Sequence, residues 1–292
     1  MNAIGIDLGG TQIKGVIVTA AGEVLRRELR ATKDDEPRAW LESVARLAAE
    51  LGGELPVGIS APGLVSPEGD SIACLPVRLK GLEGLNWTRQ FDLGWHIPVT
   101  NDAHAAFIGE AWIGAAAGML NAFMLTLGTG VGGAIMVDGV VMRGHLGRAG
   151  HFGHACLDLR GPASIAGMPG ALEGFIGNYN IRERTGGRFD STHALLGAMR
   201  IGDAFARECW MESIRALACA VASFINILDP EAVILGGGIA QAGDVLFDPL
   251  RAEVAKVEWR PTGASVPLFP AALGEWAGAI GAARVALINA AP

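Results

Sequence analysis

Three glycine-rich turns, each directly after an apolar run, constrain the fold of this chain more than any other feature. They stand in the stretches IGIDLGGTQIKG (4–15), LGTGVGGA (127–134) and LGGGIA (235–240). A turn without side chains lets backbone N–H groups approach phosphate oxygens or the flat face of a base. A plain hairpin turn, or a helix packed close to a sheet, explains any one of them alone. Two Gly-Thr turns in one chain are harder to explain in that way, and they favour a ligand-binding α/β protein.

Composition excludes several classes of protein. The 292 residues suit two modest domains or one large one, and half of them are hydrophobic. The 42 glycines follow no three-residue period, which excludes a collagen-like chain, and the low share of charged residues, 18%, excludes a disordered one. A net charge of −7 argues against a nucleic-acid partner, because such a protein needs clustered Lys and Arg.

The cysteines and the start of the chain predict a cytoplasmic protein. The four cysteines are scattered without a CxxC pair, as is typical of reduced thiols. The start MNAIGIDLGG lacks the basic residues and cleavage site of a signal peptide. The stretch 111–137 is uncharged and long enough to span a bilayer, but six glycines interrupt it. We therefore expect a buried strand-turn-strand there and no membrane partner.

Apolar periodicity predicts the main elements. Alternation over 13–19, followed by the turn Ala21-Gly22, predicts a strand and a hairpin. Helical spacing predicts a helix over 40–51 and a long buried helix that ends at Asp229-Pro230. The last stretch, GEWAGAIGAARVALINAA, predicts a helix of small residues that packs closely against another element.

A coarse duplication predicts two lobes. The pattern strand–DLGGT–strand near residue 7 resembles the pattern strand–GTGVGG–strand near residue 130, and each begins a half that contains helices. Two related lobes that face each other across a cleft follow from this, with a boundary near 114–121.

Polar residues at the ends of the apolar runs are the candidates for chemistry. Asp7 ends the first strand, so its carboxylate could hold Mg²⁺ directly or through water. Thr11 adds a hydroxyl to the turn and Lys14 adds a charge. Asn101-Asp102 stands where another strand runs into a helix, and there Asp102 could take a proton from a hydroxyl group. The alternative is that Asp102 is simply the N-cap of that helix.

Together these motifs resemble the ROK family of sugar kinases and repressors, within the actin-like ATPase superfamily. DLGGTQIKG and LGTGVGGA resemble its two phosphate motifs, DPEAVILGGGIA its adenosine motif and GISAPGLV its sugar loop, in order along the chain. The resemblance implies an α/β fold of two RNase H-like lobes around a central cleft. The N-terminal lobe would comprise 1–115, completed by the helix 276–292, and the C-terminal lobe 116–275.

The resemblance also implies an activity, ATP-dependent phosphorylation of the 6-hydroxyl of a hexose with Mg²⁺, and a homodimer. Asp102 would be the general base. The implied sugar-binding residues are Gly63, Asn101, Asp102, His151, His154 and Glu173. The implied nucleotide-binding residues are Gly9, Gly10, Thr11, Lys14, Thr129, Gly130, Gly236 and Gly237, and Asp7 is the implied magnesium ligand.

The stretch HLGRAGHFGHAC (145–156) looks at first like a metal site. In the family a histidine at the position of His154 and three following cysteines bind zinc, but here Ser164, Ala166 and Ala171 hold the cysteine positions. Alanine has no donor atom and neutral serine is a weak ligand, so we expect no zinc. We expect packing around Ile165, Met168, Pro169 and Leu172 to replace the metal.

His151 is the second departure from the family, in which most members have glutamate. Some N-acetylmannosamine kinases of the family resemble this chain in having GHxGH here, so an N-acetylhexosamine is the alternative substrate. A surface histidine without a ligand also remains open. A sugar-binding protein without catalytic activity, or a sugar-responsive regulator, are further alternatives. For a regulator, the first strand begins too early to leave room for a preceding DNA-binding helix-turn-helix.

Overall fold

A computed structural model describes residues 1–34, 36–75 and 79–290. The chain divides into two compact units. The first unit contains Met1–Met119, Val141–Ala149 and the chain from Ala272 onward, and the second contains Leu120–Val140 and Gly150–Ala271. The segment Val141–Ala149 thus belongs with the first unit, whereas the sequence assigned it to the second lobe.

The elements up to residue 113 begin with a three-stranded meander. They are β1 (Asn2–Leu8), β2 (Gln12–Thr19), β3 (Val24–Ala31), α1 (Ala39–Gly52), β4 (Val57–Ala61), β5 (Leu64–Val65), β6 (Ile72–Cys74), α2 (Trp87–Phe91), β7 (Val99–Asn101) and α3 (Asp102–Ile113). The predicted strand over 13–19 and the predicted helix over 40–51 are confirmed within a residue or two.

The remaining elements repeat the meander and then become more helical. They are β8 (Ala122–Leu127), β9 (Val131–Val137), β10 (Val140–Val141), α4 (Leu172–Ile176), α5 (Ile181–Arg184), α6 (Thr192–Arg200), α7 (Ala204–Leu228), β11 (Ala232–Gly236), α8 (Asp244–Val257), β12 (Leu268–Pro270) and α9 (Ala277–Ala290). Asp138 and Gly139 both have positive φ, as expected of the turn that an Asp-Gly hairpin signal predicts.

The two main sheets have the same topology. The first has the strand order β3-β2-β1-β4-β7 and the second β10-β9-β8-β11-β12. In each, the first strand pairs antiparallel with the second and parallel with the strand that follows the intervening elements. The duplication that the sequence suggests is therefore present in the connectivity of the sheets.

Helix α9 packs unusually close to the first sheet. A Cβ at Gly5 of β1 would lie 1.8 Å from the Ala279 carbonyl oxygen, and one at Gly58 of β4 would lie 2.1 Å from the Ala282 carbonyl oxygen. Gly281 of α9 approaches α3 in the same way. The small residues of the last helix thus allow backbone to meet backbone, as the sequence predicts.

Helix α7 forms the centre of the second unit. Twelve of its residues are buried, and ten of these belong to the apolar cluster of the second unit. It ends at Asp229, as predicted, where the chain turns with positive φ. Among the described residues it is also the one helix long and apolar enough, by length and composition, to cross a bilayer; half of that window is buried inside the unit.

Candidate functional site

Asn101 and Asp102 have separate tasks at the junction of β7 and α3. Asn101 is the N-cap: its Oδ1 accepts hydrogen bonds from the backbone N–H groups of Ala103 (3.0 Å) and His104 (3.2 Å). Asp102 is the first helical residue and is exposed, although one of its oxygens also accepts from the Ala103 N–H at 2.9 Å. Because Asn101 satisfies the helix end, the carboxylate of Asp102 remains accessible for other chemistry.

The backbone of Gly63 is hydrogen-bonded to the junction of β7 and α3. Its carbonyl oxygen accepts a hydrogen bond from Asn101 Nδ2 at 3.1 Å, and its φ is +105°. A Cβ there would lie 2.6 Å from the Cys74 carbonyl oxygen, so only glycine fits. Gly63 thus holds the loop after β4 against the residue that caps α3.

Asp7 is less exposed than Asp102, and the negative charge of Asp102 acts on it. Its Oδ1 accepts a hydrogen bond of 2.7 Å from the Ser60 hydroxyl on the neighbouring strand β4. Burial raises the pKa of Asp7 to about 6; the Ser60 hydrogen bond lowers it, the negative charge of Asp102 raises it and Lys14 lowers it. Two carboxyl groups in contrasting environments can perform different tasks.

Asp7 fits a role in holding a divalent cation. A carboxylate that is desolvated and repelled by a second carboxylate is stabilised when a cation binds to it. Carboxylate oxygens are also the type of ligand that Mg²⁺ prefers. The nearest cation, Lys14, is shared, because its ammonium group forms an ion pair with Glu275 at 3.4 Å. Among the described residues, however, no group of three or more His, Cys, Asp and Glu side chains is arranged to hold a metal.

The first glycine-rich turn is exposed at Gly10 and Thr11. It is fixed by a hydrogen bond from the Gly9 N–H to the Gln12 carbonyl (3.0 Å) and by one from the Thr32 hydroxyl to the Gly9 carbonyl (2.7 Å). The structure therefore brings Asp7, Lys14 and this rigid turn together at the ends of β1 and β2, as the sequence predicts of neighbours in one hairpin.

In the second unit, His154 and Glu173 face each other. His154 Nδ1 lies 3.7 Å from Glu173 Oε1, and both atoms are buried without a hydrogen-bond partner in the described parts of the chain. The His151 ring stacks on the His154 ring at 6.1 Å between centroids. Gly130 leaves room for the carboxylate, since a Cβ there would lie 2.7 Å from Glu173 Oε2. Paired buried polar atoms of this kind are suited to a ligand hydroxyl group.

Thr129 and Gly128 line a cavity of about 530 Å³ in the second unit. The other lining residues come from three segments: Asn178; Ser191, Thr192, His193, Leu196 and Arg200; and Gly238, Ile239, Gln241 and Ala242. Gly238 lines the cavity, whereas Gly236 and Gly237 do not. Gly236 is buried in β11, and Gly237, at φ +86°, packs against the Leu127 backbone.

Helix α6 contributes to this cavity in a way that the sequence does not indicate. Five of the lining residues lie in or just before this nine-residue helix, and the buried Thr192 hydroxyl has no hydrogen-bond partner among residues 1–34, 36–75 and 79–290. The one available signal was Ser191, which caps the helix by accepting from the Ala194 N–H. A serine before a short apolar run is a helix signal, but it says nothing of a cavity.

Backbone hydrogen bonds hold the loop that lacks the zinc ligands. The Ser164 N–H donates to the Met168 carbonyl (2.8 Å) and the Gly170 N–H to the Pro162 carbonyl (2.9 Å), while Cys156 pairs with Ala171. The expected apolar packing is wrong for Ile165 and Met168, which are 69% and 41% exposed. The loop is closed by its own backbone and does not need these side chains, and of the expected apolar set Leu172 alone belongs to the core.

Comparisons with known proteins agree with this architecture. A glucokinase from Thermotoga maritima is 32% identical over 310 residues, which covers 98% of this chain and 97% of the relative. An N-acetylmannosamine kinase from Escherichia fergusonii is 29% identical over 98% of each chain. The crystal structure of a ROK family glucokinase from Streptomyces griseus, in complex with glucose and AMPPNP, has a TM-score of 0.81 at 28% identity, over 99% of this chain and 100% of that one.

These likenesses confirm the predicted fold class, an α/β protein with the two sheets of the actin-like ATPases. The ROK family model itself matches residues 3–288, nearly the whole chain. The chain therefore belongs to the ROK family.

Proposed function

We propose that this protein transfers the γ-phosphoryl group of ATP to the 6-hydroxyl of a hexose, with Asp102 as the general base. The observation that carries the proposal is the arrangement at the start of α3, where Asn101 caps the helix and leaves the Asp102 carboxylate exposed. The names of the glucokinase relative and of the glucose complex support a hexose and ATP as substrates.

Asp102 accepts the proton of the sugar hydroxyl as its oxygen attacks the γ-phosphorus. The bond from that phosphorus to the bridging oxygen of ADP breaks, and the products are the sugar phosphate and ADP. An exposed carboxylate at the start of a helix suits this task, since a substrate hydroxyl group can approach it directly from solvent.

Asp7 is the residue in this proposal that would hold Mg²⁺. The ion, when bound, neutralises charge on the phosphate oxygens during transfer. Ser60 orients the Asp7 carboxylate through its hydrogen bond of 2.7 Å. The turn Gly9–Gly10–Thr11 offers backbone N–H groups to the phosphates, with Lys14 as the nearby cation.

The 530 Å³ cavity is the candidate for the nucleoside part of ATP, and its volume is that of a typical small-molecule site. Thr129 lines it directly, whereas Gly130, Gly236 and Gly237 only adjoin, in the chain, the lining residues Thr129 and Gly238. The polar side chains of Asn178, His193 and Gln241 at its wall are the groups available to a base and a ribose.

His154 and Glu173 are the candidates for sugar hydroxyl groups. A hydroxyl group placed near both buried atoms can accept a hydrogen bond from the imidazole N–H and donate its own O–H to the carboxylate, which satisfies both unpaired groups at once. Asn101 keeps little capacity for sugar, because its amide oxygen accepts two backbone hydrogen bonds and its nitrogen donates one. One amide N–H remains for a ligand.

An N-acetylhexosamine is the second candidate substrate, and His151 favours it. This ring stacks on His154, where a neutral imidazole offers one donor and one acceptor instead of the two acceptors of a carboxylate. The relative named N-acetylmannosamine kinase, which matches 98% of this chain, supports the same alternative.

The test is an ADP-release assay with ATP and Mg²⁺ across glucose, mannose, N-acetylglucosamine and N-acetylmannosamine. Asp102→Asn should lower kcat by about 10²- to 10⁴-fold on the preferred sugar, because the general base is lost while the fold is kept. Asp244→Asn is the matched control, since Asp244 is likewise an exposed first residue of a helix. Undiminished turnover of the Asp102 variant would contradict the proposed mechanism.

A further inference from the structure

A second cavity in the second unit shares no lining residue with the 530 Å³ cavity and lies beneath one end of the loop 156–171. It has a volume of about 230 Å³, and its lining residues are Pro162, Gly170, Ala171, Gly174, Phe175, Arg184, Cys209, Glu212 and Ser213. Cavities of about 150 Å³ already accept a molecule the size of benzene, so this one has room for a small organic ligand. Its wall is largely apolar, with a single cation.

That cation, Arg184, is held firmly but is not neutralised. Its guanidinium group donates to Ser213 Oγ (2.7 Å), Asn180 Oδ1 (3.1 Å) and the Gly177 carbonyl oxygen (3.1 Å). These bonds use three of its five N–H groups. In the described parts of the chain it forms no ion pair, and burial lowers its pKa.

We propose that this cavity binds a small organic carboxylate, whose anionic group pairs with Arg184 and whose apolar body packs against Pro162, Ala171 and Phe175. A desolvated guanidinium group is stabilised by a carboxylate that uses its remaining N–H groups, because a charge-assisted pair replaces an uncompensated charge. Glu212, the exposed carboxylate at the wall, opposes an anionic ligand by repulsion.

The cavity lies against α4, the short helix that carries Glu173. Gly174 and Phe175 of α4 line it, and the preceding residue, Glu173, faces His154. A ligand in the cavity therefore packs against the helix that carries Glu173. The proposal itself concerns binding alone and does not depend on the kinase activity.

The test is isothermal titration of the full-length protein with sodium benzoate, in the absence of sugar and nucleotide. Benzyl alcohol, of similar shape but uncharged, is the matched ligand. We expect saturable binding of benzoate and at least about tenfold weaker binding of benzyl alcohol, the difference that a charge-assisted hydrogen-bonded pair supplies. Equal affinity for the two ligands, or no saturable heat with benzoate, would overturn the proposal.

Two variants separate charge from folding. Arg184→Met should abolish benzoate binding, with circular dichroism as the check that the protein still folds. Glu212→Gln leaves an exposed helix position polar and should tighten benzoate binding about two- to fivefold, because it removes a nearby negative charge. Unchanged affinity in the Glu212 variant would count against the proposal even if the Arg184 variant failed to fold.

Discussion

At the residue scale, Asn101 and Asp102 show how neighbours in sequence divide a task. The sequence placed both at a strand-helix junction, yet it left open which of them caps the helix. Asn101 lies just before the helix with extended ψ and caps it, whereas Asp102 is already helical. The ψ angle of Asn101 decides which of the two residues caps the helix, and this angle cannot be predicted from a pattern in a single sequence.

Asp7 gives a prediction about stability and pH. Its pKa is raised from an ordinary value of 3.8 to about 6, so the folded protein binds this proton more tightly than the unfolded chain does. The stabilisation that protonated Asp7 provides is complete below pH 3.8, the pKa in the unfolded chain. It is lost as the pH rises through about 6, the pKa in the folded protein. Ionised Asp7 therefore destabilises the metal-free protein by up to about 3 kcal/mol.

We expect Asp7→Asn to be more stable than the original protein at about pH 7.5, and the advantage to shrink towards about pH 4, since the amide does not titrate. Urea denaturation without divalent cations measures this. Asp248→Asn, an exposed change on α8, should show no such trend. An advantage that is the same at both pH values would contradict the assignment of the shift to Asp7.

At the element scale, the periodicity of apolar residues predicted the longest elements well. The hairpin β8–β9, the long α7 with its stop at Asp229 and the small-residue α9 all lie where the sequence placed them. Short elements were beyond reach. Helix α6 spans only nine residues with Gly197 inside, and β12 has three residues, so neither is long enough for a sustained pattern. Helix α8 has 14 residues with apolar residues at helical spacing, but Pro249 inside it is a helix-breaking signal.

The contact between α9 and α3 predicts a sharp effect for one glycine. A Cβ at Gly281 would lie 1.7 Å from the Ala105 carbonyl oxygen, so Gly281→Ala should destabilise the protein by about 3 kcal/mol or more, because the two helices must separate. Thermal unfolding measures it. Gly197→Ala is the control: it is helical, meets nothing within 4 Å, and should stabilise by about 0.5–1 kcal/mol. Equal effects of the two changes would refute this reading of the contact.

The loop 156–171 predicts insensitivity to zinc removal. Its turns are closed by main-chain hydrogen bonds such as that from the Gly167 N–H to the Ser164 carbonyl (2.9 Å), and the family's cysteine positions carry Ser164, Ala166 and Ala171. We expect dialysis against a zinc chelator, followed by Mg²⁺ alone, to leave melting temperature and turnover unchanged. Recovery of either property only on addition of Zn²⁺ would show that the loop, or another site, does need the metal.

At the scale of the whole molecule, a single buried carboxylate joins two segments of the first unit that are far apart in the sequence. Glu110 is fully buried in α3. It accepts hydrogen bonds from the N–H groups of Ala115 (2.7 Å), Ala272 (3.0 Å) and Leu273 (2.8 Å). The chain first leaves this unit after Met119, comes back for Val141–Ala149 and returns finally at Ala272. Glu110 therefore ties the end of α3 to the segment of the final return.

Glu110→Ala should therefore destabilise the protein by about 2–4 kcal/mol, because three partly buried hydrogen bonds are lost and the buried side chain leaves a cavity. Glu110→Gln retains one acceptor oxygen and should be intermediate. Denaturant unfolding of the three proteins measures the order. A Gln variant as stable as the original would mean that the charge and the second oxygen add nothing.

The return of the chain to its first unit also bears on synthesis. Gly5 and Gly58 contact α9 backbone, and Ala3, Val16 and Val18 share an apolar cluster with α9. Until residues 277–290 have been synthesised, the part of this face that α9 covers stays exposed, although Trp112 and Ile113 of α3 pack against the same cluster. The strands β1, β2 and β4 are thus synthesised well before the helix that packs on them. During translation, their exposed apolar residues are a surface to which a chaperone can bind.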